Sequence, residues 1–363
     1  MSDYLIIGAG VIGMLTAREL AQSGADVTLV DMHNCAQEAS WAGGGIVSPL
    51  YPWRYSDPVT ALATWSQTSY IHLAQQLLEE TGLDPELRQK GMFMVGVDDA
   101  EEALGWGRRY QKPMEKVGAD FIYQKEPGLA PGLDSALWMP EVASIRNPRL
   151  GRSLRRSMEI TPNINLIEQA RVEELLVDHY AVTGVRLADR VLQGDKVIIA
   201  AGAWSSELLA PLEVELPVEP VKGQMMLFKA PVGLINRVVL MQGRYLIPRN
   251  DGRILVGSTL ERVGFDKQTT AEAKASLYQT ALDICPELER YELEHHWAGL
   301  RPGSPEGVPY IGAVPEYDNL YLNAGHFRNG LVLAPASTRL LADILLDRQP
   351  VINPHPYALH GRI

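Results

Sequence analysis

The chain has 363 residues, with 44 acidic and 33 basic side chains for a formal charge of −11, and two cysteines. That length suggests about two domains with an ample core, and an acidic chain without a long basic run fits neither nucleic acid nor an anionic membrane as partner. No apolar run reaches the roughly 18 residues of a membrane span, Met1-Ser2-Asp3 lacks a signal peptide's basic start, and two cysteines make neither a disulfide framework nor a thiolate metal cluster, so a soluble cytoplasmic enzyme is the expectation.

Residues 3–32 are the most informative stretch. Tyr4-Leu5-Ile6-Ile7 has the unbroken apolar character of a strand buried on both faces of a parallel sheet. Gly8, Gly10 and Gly13 follow at GxGxxG spacing. Gly8 permits the tight turn, Gly10 lets a pyrophosphate approach the backbone, and Gly13 lets helix and strand pack closely. Ile12, Leu15 and Leu20 form an apolar helix stripe, which Gly24 ends. Val27-Thr28-Leu29-Val30 then delivers Asp31, an acceptor for the hydroxyls of an adenosine ribose. Strand, turn, helix, strand and acid in this order point to a dinucleotide with its pyrophosphate at the helix N-terminus.

The loop 32–49 carries Ala39-Ser40-Trp41-Ala42-Gly43-Gly44-Gly45-Ile46, whose glycines let the backbone lie close to a planar or anionic ligand. Asp57-Pro58 starts a helix as cap and first-turn proline, and Gly82 ends it. A strand over 91–97 and a charged helical piece over 99–117 follow. The segment 121–150 reads as loop-rich from prolines 127, 131, 140 and 148. Parallel-sheet character returns over 164–168 and 171–178. A hairpin over 187–193 then leads into the buried strand 196–201, which ends at Gly202-Ala203-Trp204, where ligands meet open α/β sheets. Residues 244–257 form a hairpin around Asn250-Asp251-Gly252, 271–284 a helix, and 293–300 a strand. Finally Leu320 to Ala324 meets Gly325-His326-Phe327-Arg328-Asn329-Gly330 and an apolar helix, a second strand–glycine–helix junction.

Together these stretches resemble the flavin-dependent amine and amino-acid oxidases of the D-amino-acid oxidase family, and within it the glycine oxidases most closely. Five motifs match in order: the GxGxxG with its acid, the loop from Ala39-Ser40 to Ile46, Ala200-Ala201-Gly202-Ala203-Trp204, Gly299-Leu300-Arg301-Pro302, and the run from Gly325 to Gly330. Asp31 stands where the family more often has glutamate, and Gly43-Gly44-Gly45 where its loop is alanine-rich. The resemblance implies an α/β fold: a Rossmann-type FAD-binding domain with an inserted antiparallel-sheet α+β substrate domain. The expected division is 1–49, 146–215 and 300–363 for the cofactor, and 50–145 and 216–299 for the substrate.

It also implies FAD. Its adenosine would lie at Val11, Ile12, Asp31 and Met32, its adenine at the Val172 backbone, and its middle near Ser40, Gly44, Gly45 and Ile46. Its pyrimidine ring would lie at His326, Phe327, Arg328, Asn329, Gly330, Leu331 and Val332. No cysteine follows Arg301, so non-covalent attachment is expected. A planar guanidinium grips a carboxylate with two parallel hydrogen bonds, which suits Arg301 and Arg328, joined by the Tyr245 hydroxyl, as ligands of a substrate carboxylate. His295-His296 sit on a strand where neighbours face opposite ways, and no metal is expected. Trp41 and Trp204 read as packing residues and His326 as structural. The implied activity is oxidation of glycine or other small amino acids or amines to the imino acid. Hydride goes to the flavin, oxygen becomes hydrogen peroxide, the imine yields glyoxylate and ammonia, and thiamine thiazole synthesis is the setting. Three alternatives stay open from the residues: a sarcosine or D-amino-acid oxidase or dehydrogenase of the same family, an NAD-dependent dehydrogenase, and a flavin subunit without activity. The oligomeric state, homo-oligomer included, is equally open.

Overall fold

The structure, a computed structural model, describes residues 2–360. Tyr4, Leu5, Ile6 and Ile7 are all buried in the strand Ser2–Ile7 because both of its faces are covered. It lies in a six-stranded sheet ordered Tyr310–Ala313, Leu320–Ala324, Gly194–Ile199, Ser2–Ile7, Val27–Val30, Ile164–Ile167. Every pair is parallel except the first. The helices Val11–Gln22, Asp57–Thr81 and Gly330–Leu345 pack together over one face. The other face is covered by a small antiparallel sheet, Glu174–Asp178, Ala181–Arg186 and Val191–Leu192. The central strands end at the two glycine-bearing junctions, which brings Gly8 and His326 to one edge of the sheet.

A second sheet of eight strands runs Glu292–Gly303, Glu219–Lys229, Arg253–Gly257, Arg244–Pro248, Val238–Met241, Met92–Val95, Ser135–Met139, Glu115–Gly118. Its neighbours are antiparallel except for one seam, where Val238–Met241 pairs parallel with Met92–Val95. The helix Ala271–Ile284 buries Leu277, Ala281 and Ile284 against Phe228 and Ile254 on one face. The opposite face carries Met225, Tyr245 and Ile247 toward the triple glycine.

Several local expectations are corrected. The cap of helix Asp57–Thr81 is Ser56, so Asp57 is the first helical residue; Gly82 does end it, at φ +70°. The helix in 99–117 covers only Ala100–Arg109, and Glu115–Gly118 is a strand. The stretch 121–150 has loops over 126–134 and 140–142, where prolines 127, 131 and 140 lie, but it also holds the end of helix Ala119–Lys125, the strand Ser135–Met139 and the start of helix Asn147–Ile160, whose first turn takes Pro148. In 171–178 only Glu174–Asp178 is a strand, and it joins the small antiparallel sheet. One exposed face leaves it no place among strands buried on both sides. Among the described residues no helix is long and apolar enough to cross a membrane.

Candidate active site

At the first junction Gly8 has φ +106°, and a Cβ there would strike the Ala200 carbonyl of the adjacent strand. A Cβ on Gly13 would strike the Gly8 carbonyl, so the helix Val11–Gln22 lies as near the turn as backbone allows. Ser40 crosses this helix start, its Oγ accepting from Val11 N at 2.9 Å. Asp31 follows its strand and accepts from the Ala9 and His33 N–H groups at 2.6 and 2.7 Å. Burial raises its carboxyl above the usual aspartate range, against the pull of those donors.

The triple glycine is wedged rather than free. A Cβ on Gly44 would come within 2.9 Å of Ile247 and 3.1 Å of the Tyr245 ring, and Gly45, at φ +82°, backs onto the Ile145 carbonyl. Two buried side chains that sequence reasoning passed over fasten it. Asn147, at the start of its helix, donates to the Ser40 carbonyl at 2.9 Å. Arg249 donates to the carbonyls of Gly44 (2.8 Å) and Ile145 (3.1 Å), and burial pulls its guanidinium down to about 10. Asn147-Pro148 at a helix start was the available signal for the first. Arg249 had none, since it borders an Asn-Asp-Gly turn and reads as surface.

A single cavity runs from Asp31 and Val172 past Gly10, Ser40 and Gly44 to Tyr245, Arg301 and Arg328. Every site residue expected from the sequence lines it except Gly13, which stands behind the turn. At the far end, the strand Glu292–Gly303 pairs Arg301 with Val221 and Gly299 with Gly223. A Cβ at Gly223 would collide with the Arg301 guanidinium, which therefore lies across that glycine. Burial lowers the guanidinium's affinity for its proton; Tyr245 opposes this and Arg328 adds to it. Tyr245 is buried, with Met225 Sδ at 3.5 Å from its hydroxyl. Arg328 differs: it is exposed at the rim and, among the described residues, has no hydrogen-bond or ion-pair partner.

At the second junction His326 is buried and its Nε2 lies 2.8 Å from Ser337 Oγ, whose proton goes to Asn323 Oδ1 at 2.6 Å. That assigns the N–H of a neutral imidazole to Nε2, and burial keeps the ring neutral down to about 3. The helix Gly330–Leu345 points its N-terminus into the cavity here. Trp204 lines the cavity and packs on Phe265 with ring centroids 5.4 Å apart. Trp41 touches Trp297 but stays 44% exposed, a poorer packing residue than expected.

A long dinucleotide fits these residues. The cavity offers two helix N-termini and close backbone at Gly10 and Gly44. Two of its buried polar atoms, Asn147 Oδ1 and Asn329 Nδ2, have no protein partner.

The sequence matches the family model described as FAD dependent oxidoreductase over residues 3–344. It is 56% identical to a glycine oxidase of Pseudomonas aeruginosa, covering 99% of each chain. It is 32% identical to a bifunctional protein ThiO/ThiG of Synechocystis sp., covering 97% of this chain and 53% of that one. Among solved structures, the glycine oxidase of Geobacillus kaustophilus superposes with a TM-score of 0.92 at 28% identity, over 100% of this chain and 99% of that one.

Proposed function

This chain belongs to the FAD dependent oxidoreductase family, and on that premise we propose that it oxidises glycine and other small amino acids or amines with oxygen as acceptor. The observation that carries the reading is Arg301, a desolvated guanidinium across Gly223, beside a buried tyrosine at one end of a dinucleotide-sized cavity. The similarity to glycine oxidases supports the small substrate, and the similarity to a ThiO/ThiG chain supports a setting in thiazole synthesis for thiamine. In the same proposal, segments 1–49, 146–215 and 300–363 bind the cofactor, and 50–145 and 216–299 the substrate, except that helix Asp57–Thr81 packs on the cofactor sheet and strand Glu292–Gly303 carries Arg301 into the substrate sheet.

FAD bound there would supply the two-electron acceptor for a hydride from the substrate's α-carbon, with oxygen, reduced to peroxide, as the final acceptor. Val11, Ile12, Asp31 and Met32 would hold its adenosine, the Val172 backbone its adenine, Ser40, Gly44, Gly45 and Ile46 its middle, and residues 326–332 its pyrimidine. Arg301 grips the substrate carboxylate with two parallel N–H donors, Tyr245 adds its hydroxyl, and Arg328 closes from the rim. Fixing the carboxylate fixes the adjacent carbon, which is the positioning the reaction needs. No side-chain base takes part: the amine enters neutral, and His326 has its Nε2 proton on Ser337. The N-terminus of helix Gly330–Leu345, with the Asn329 amide, would favour negative charge on a ring bound at 326–332. The imine then hydrolyses to glyoxylate and ammonia.

Peroxide release from glycine, sarcosine, D-alanine, D-proline and D-phenylalanine at equal concentration tests this. Glycine and small amines should have the highest kcat/KM. Each extra methylene shifts discrimination by only about 1–3 kcal/mol, so sarcosine and D-alanine are expected to react. D-phenylalanine as best substrate with glycine inert would overturn the assignment and leave the family intact.

A further inference from the structure

Arg301 is held by Ser258, which lines the cavity, and from behind by Lys222 and Thr259, which do not. Its Nη1 donates to the carbonyls of Thr259 (3.2 Å) and Lys222 (3.4 Å), and its Nη2 to Ser258 Oγ at 2.7 Å. Two of these acceptors belong to 258–270, a strap with no regular structure beyond one bridge from Glu261 to Lys222. What fixes the strap is a polar cluster centred on Glu261. Its carboxylate accepts from Gln224 Nε2 at 2.9 Å and from Thr259 Oγ1, and lies 3.3 Å from Lys222 Nζ. Backbone hydrogen bonds join Glu261 and Lys222 in both directions at 2.9 Å, and Thr259 Oγ1 accepts from Gln224 N at 2.8 Å. Lys222 is buried to 2% exposure, so its charge needs the acid; Asp266, 3.0 Å away, is the second partner. Neither Lys222, Gln224, Thr259 nor Glu261 lines the cavity.

We propose that Glu261 is a positioning residue for the carboxylate-binding arginine. By fastening Thr259 to Lys222 and Gln224, it fixes the carbonyls and the hydroxyl from which the Arg301 guanidinium hangs. The donors that Arg301 turns toward the cavity are those its rear acceptors leave over, so the strap decides where they point. A misplacement on the scale of 1 Å is enough to cost up to about a hundredfold. The inference rests on the proposed role of Arg301, and its test reads carboxylate binding apart from turnover.

Holoenzyme carrying Glu261→Gln or Thr259→Val is titrated with acetate, followed by perturbation of flavin absorption, and assayed with glycine. The expected result is a rise of roughly tenfold in both the acetate Kd and the glycine KM, with kcat within about threefold and flavin content unchanged; Tm holds in Thr259→Val and falls in Glu261→Gln, which leaves Lys222 with Asp266 alone. In an Arg301→Ala background the same substitutions should add no further loss, because the effect passes through Arg301. Acetate binding unchanged in both variants, or an equal additional loss in the Arg301→Ala background, overturns the proposal. So does a parallel fall in flavin content, Tm and kcat in both variants, the signature of a merely structural strap. If glycine proves inert while acetate binding shifts as expected, the positioning role stands and the substrate assignment falls.

Discussion

Arg301, half-buried, and His326, buried, are two desolvated basic side chains at one end of the cavity, kept in opposite states. Arginine cannot shed its proton in the working range, so burial leaves Arg301 charged and short of solvation, which a bound carboxylate restores. Replacing it with alanine should raise the glycine KM by about a hundredfold, equivalent to roughly 3 kcal/mol, while FAD still binds. A KM within about threefold of wild type would reject the carboxylate role. His326 instead is held neutral, its folded value pulled from 6.5 to about 3 by burial. Between those values the unfolded chain binds a proton that the native one refuses, so native stability rises with pH across that window. The slope from this one group approaches about 1.4 kcal/mol per pH unit. Denaturant midpoints between pH 4 and 6.5 should show it, and His326→Gln should flatten it. A slope unchanged by that substitution would mean other groups set the acid limit.

The ribbon of Glu219–Lys229 and Glu292–Gly303 is the element on which the substrate end depends, and Gly223 is the place in it that the Arg301 guanidinium fills. Gly223→Ala suits a strand, since its backbone is not in the left-handed region, but the new methyl occupies the guanidinium's position. The expected outcome is a glycine KM raised about tenfold or more with a Tm within a few degrees of wild type. Wild-type KM in that variant would show that Arg301 reaches its ligand by another path. Elements whose signals are local were legible in the sequence: the glycine turn with its flanking strands, the Arg244–Pro248 and Arg253–Gly257 hairpin, the helix Ala271–Ile284. Ser135–Met139 was not, because prolines dominate its neighbourhood while its partners come from 92–95 and 115–118. The same division holds at the site. Arg301 and Arg328 stood in recognisable motifs, whereas Arg249 and Glu261 owe their roles to segments distant in the chain, and no local pattern records that.

At the scale of the whole molecule, the cavity draws on both large sheets, so a cofactor bound along it would tie them together. A ligand bound only by the native state stabilises it by mass action, about 4 kcal/mol at a thousandfold excess over Kd. Stripping FAD should therefore lower Tm and re-adding it should restore the loss; equal Tm with and without FAD would count against a cofactor shared by the sheets. Cys35 and Cys285 are buried, and desolvation raises both thiols well above the usual range, which disfavours attack on a flavin. Acid precipitation should leave the yellow colour in the supernatant, and a yellow pellet would refute non-covalent binding. The parallel seam between Met92–Val95 and Val238–Met241 also sets a timetable for synthesis. The ribosome finishes one side of the seam well over a hundred residues before it makes the other. At roughly 5–20 residues per second the gap lasts on the order of ten seconds or more. Throughout it the four-residue apolar edge Met92-Phe93-Met94-Val95, wholly interior once folded, waits without its neighbour. An open edge of that kind invites pairing between nascent chains. Slower initiation or an available chaperone would then raise the yield of native protein without changing the stability of the finished fold.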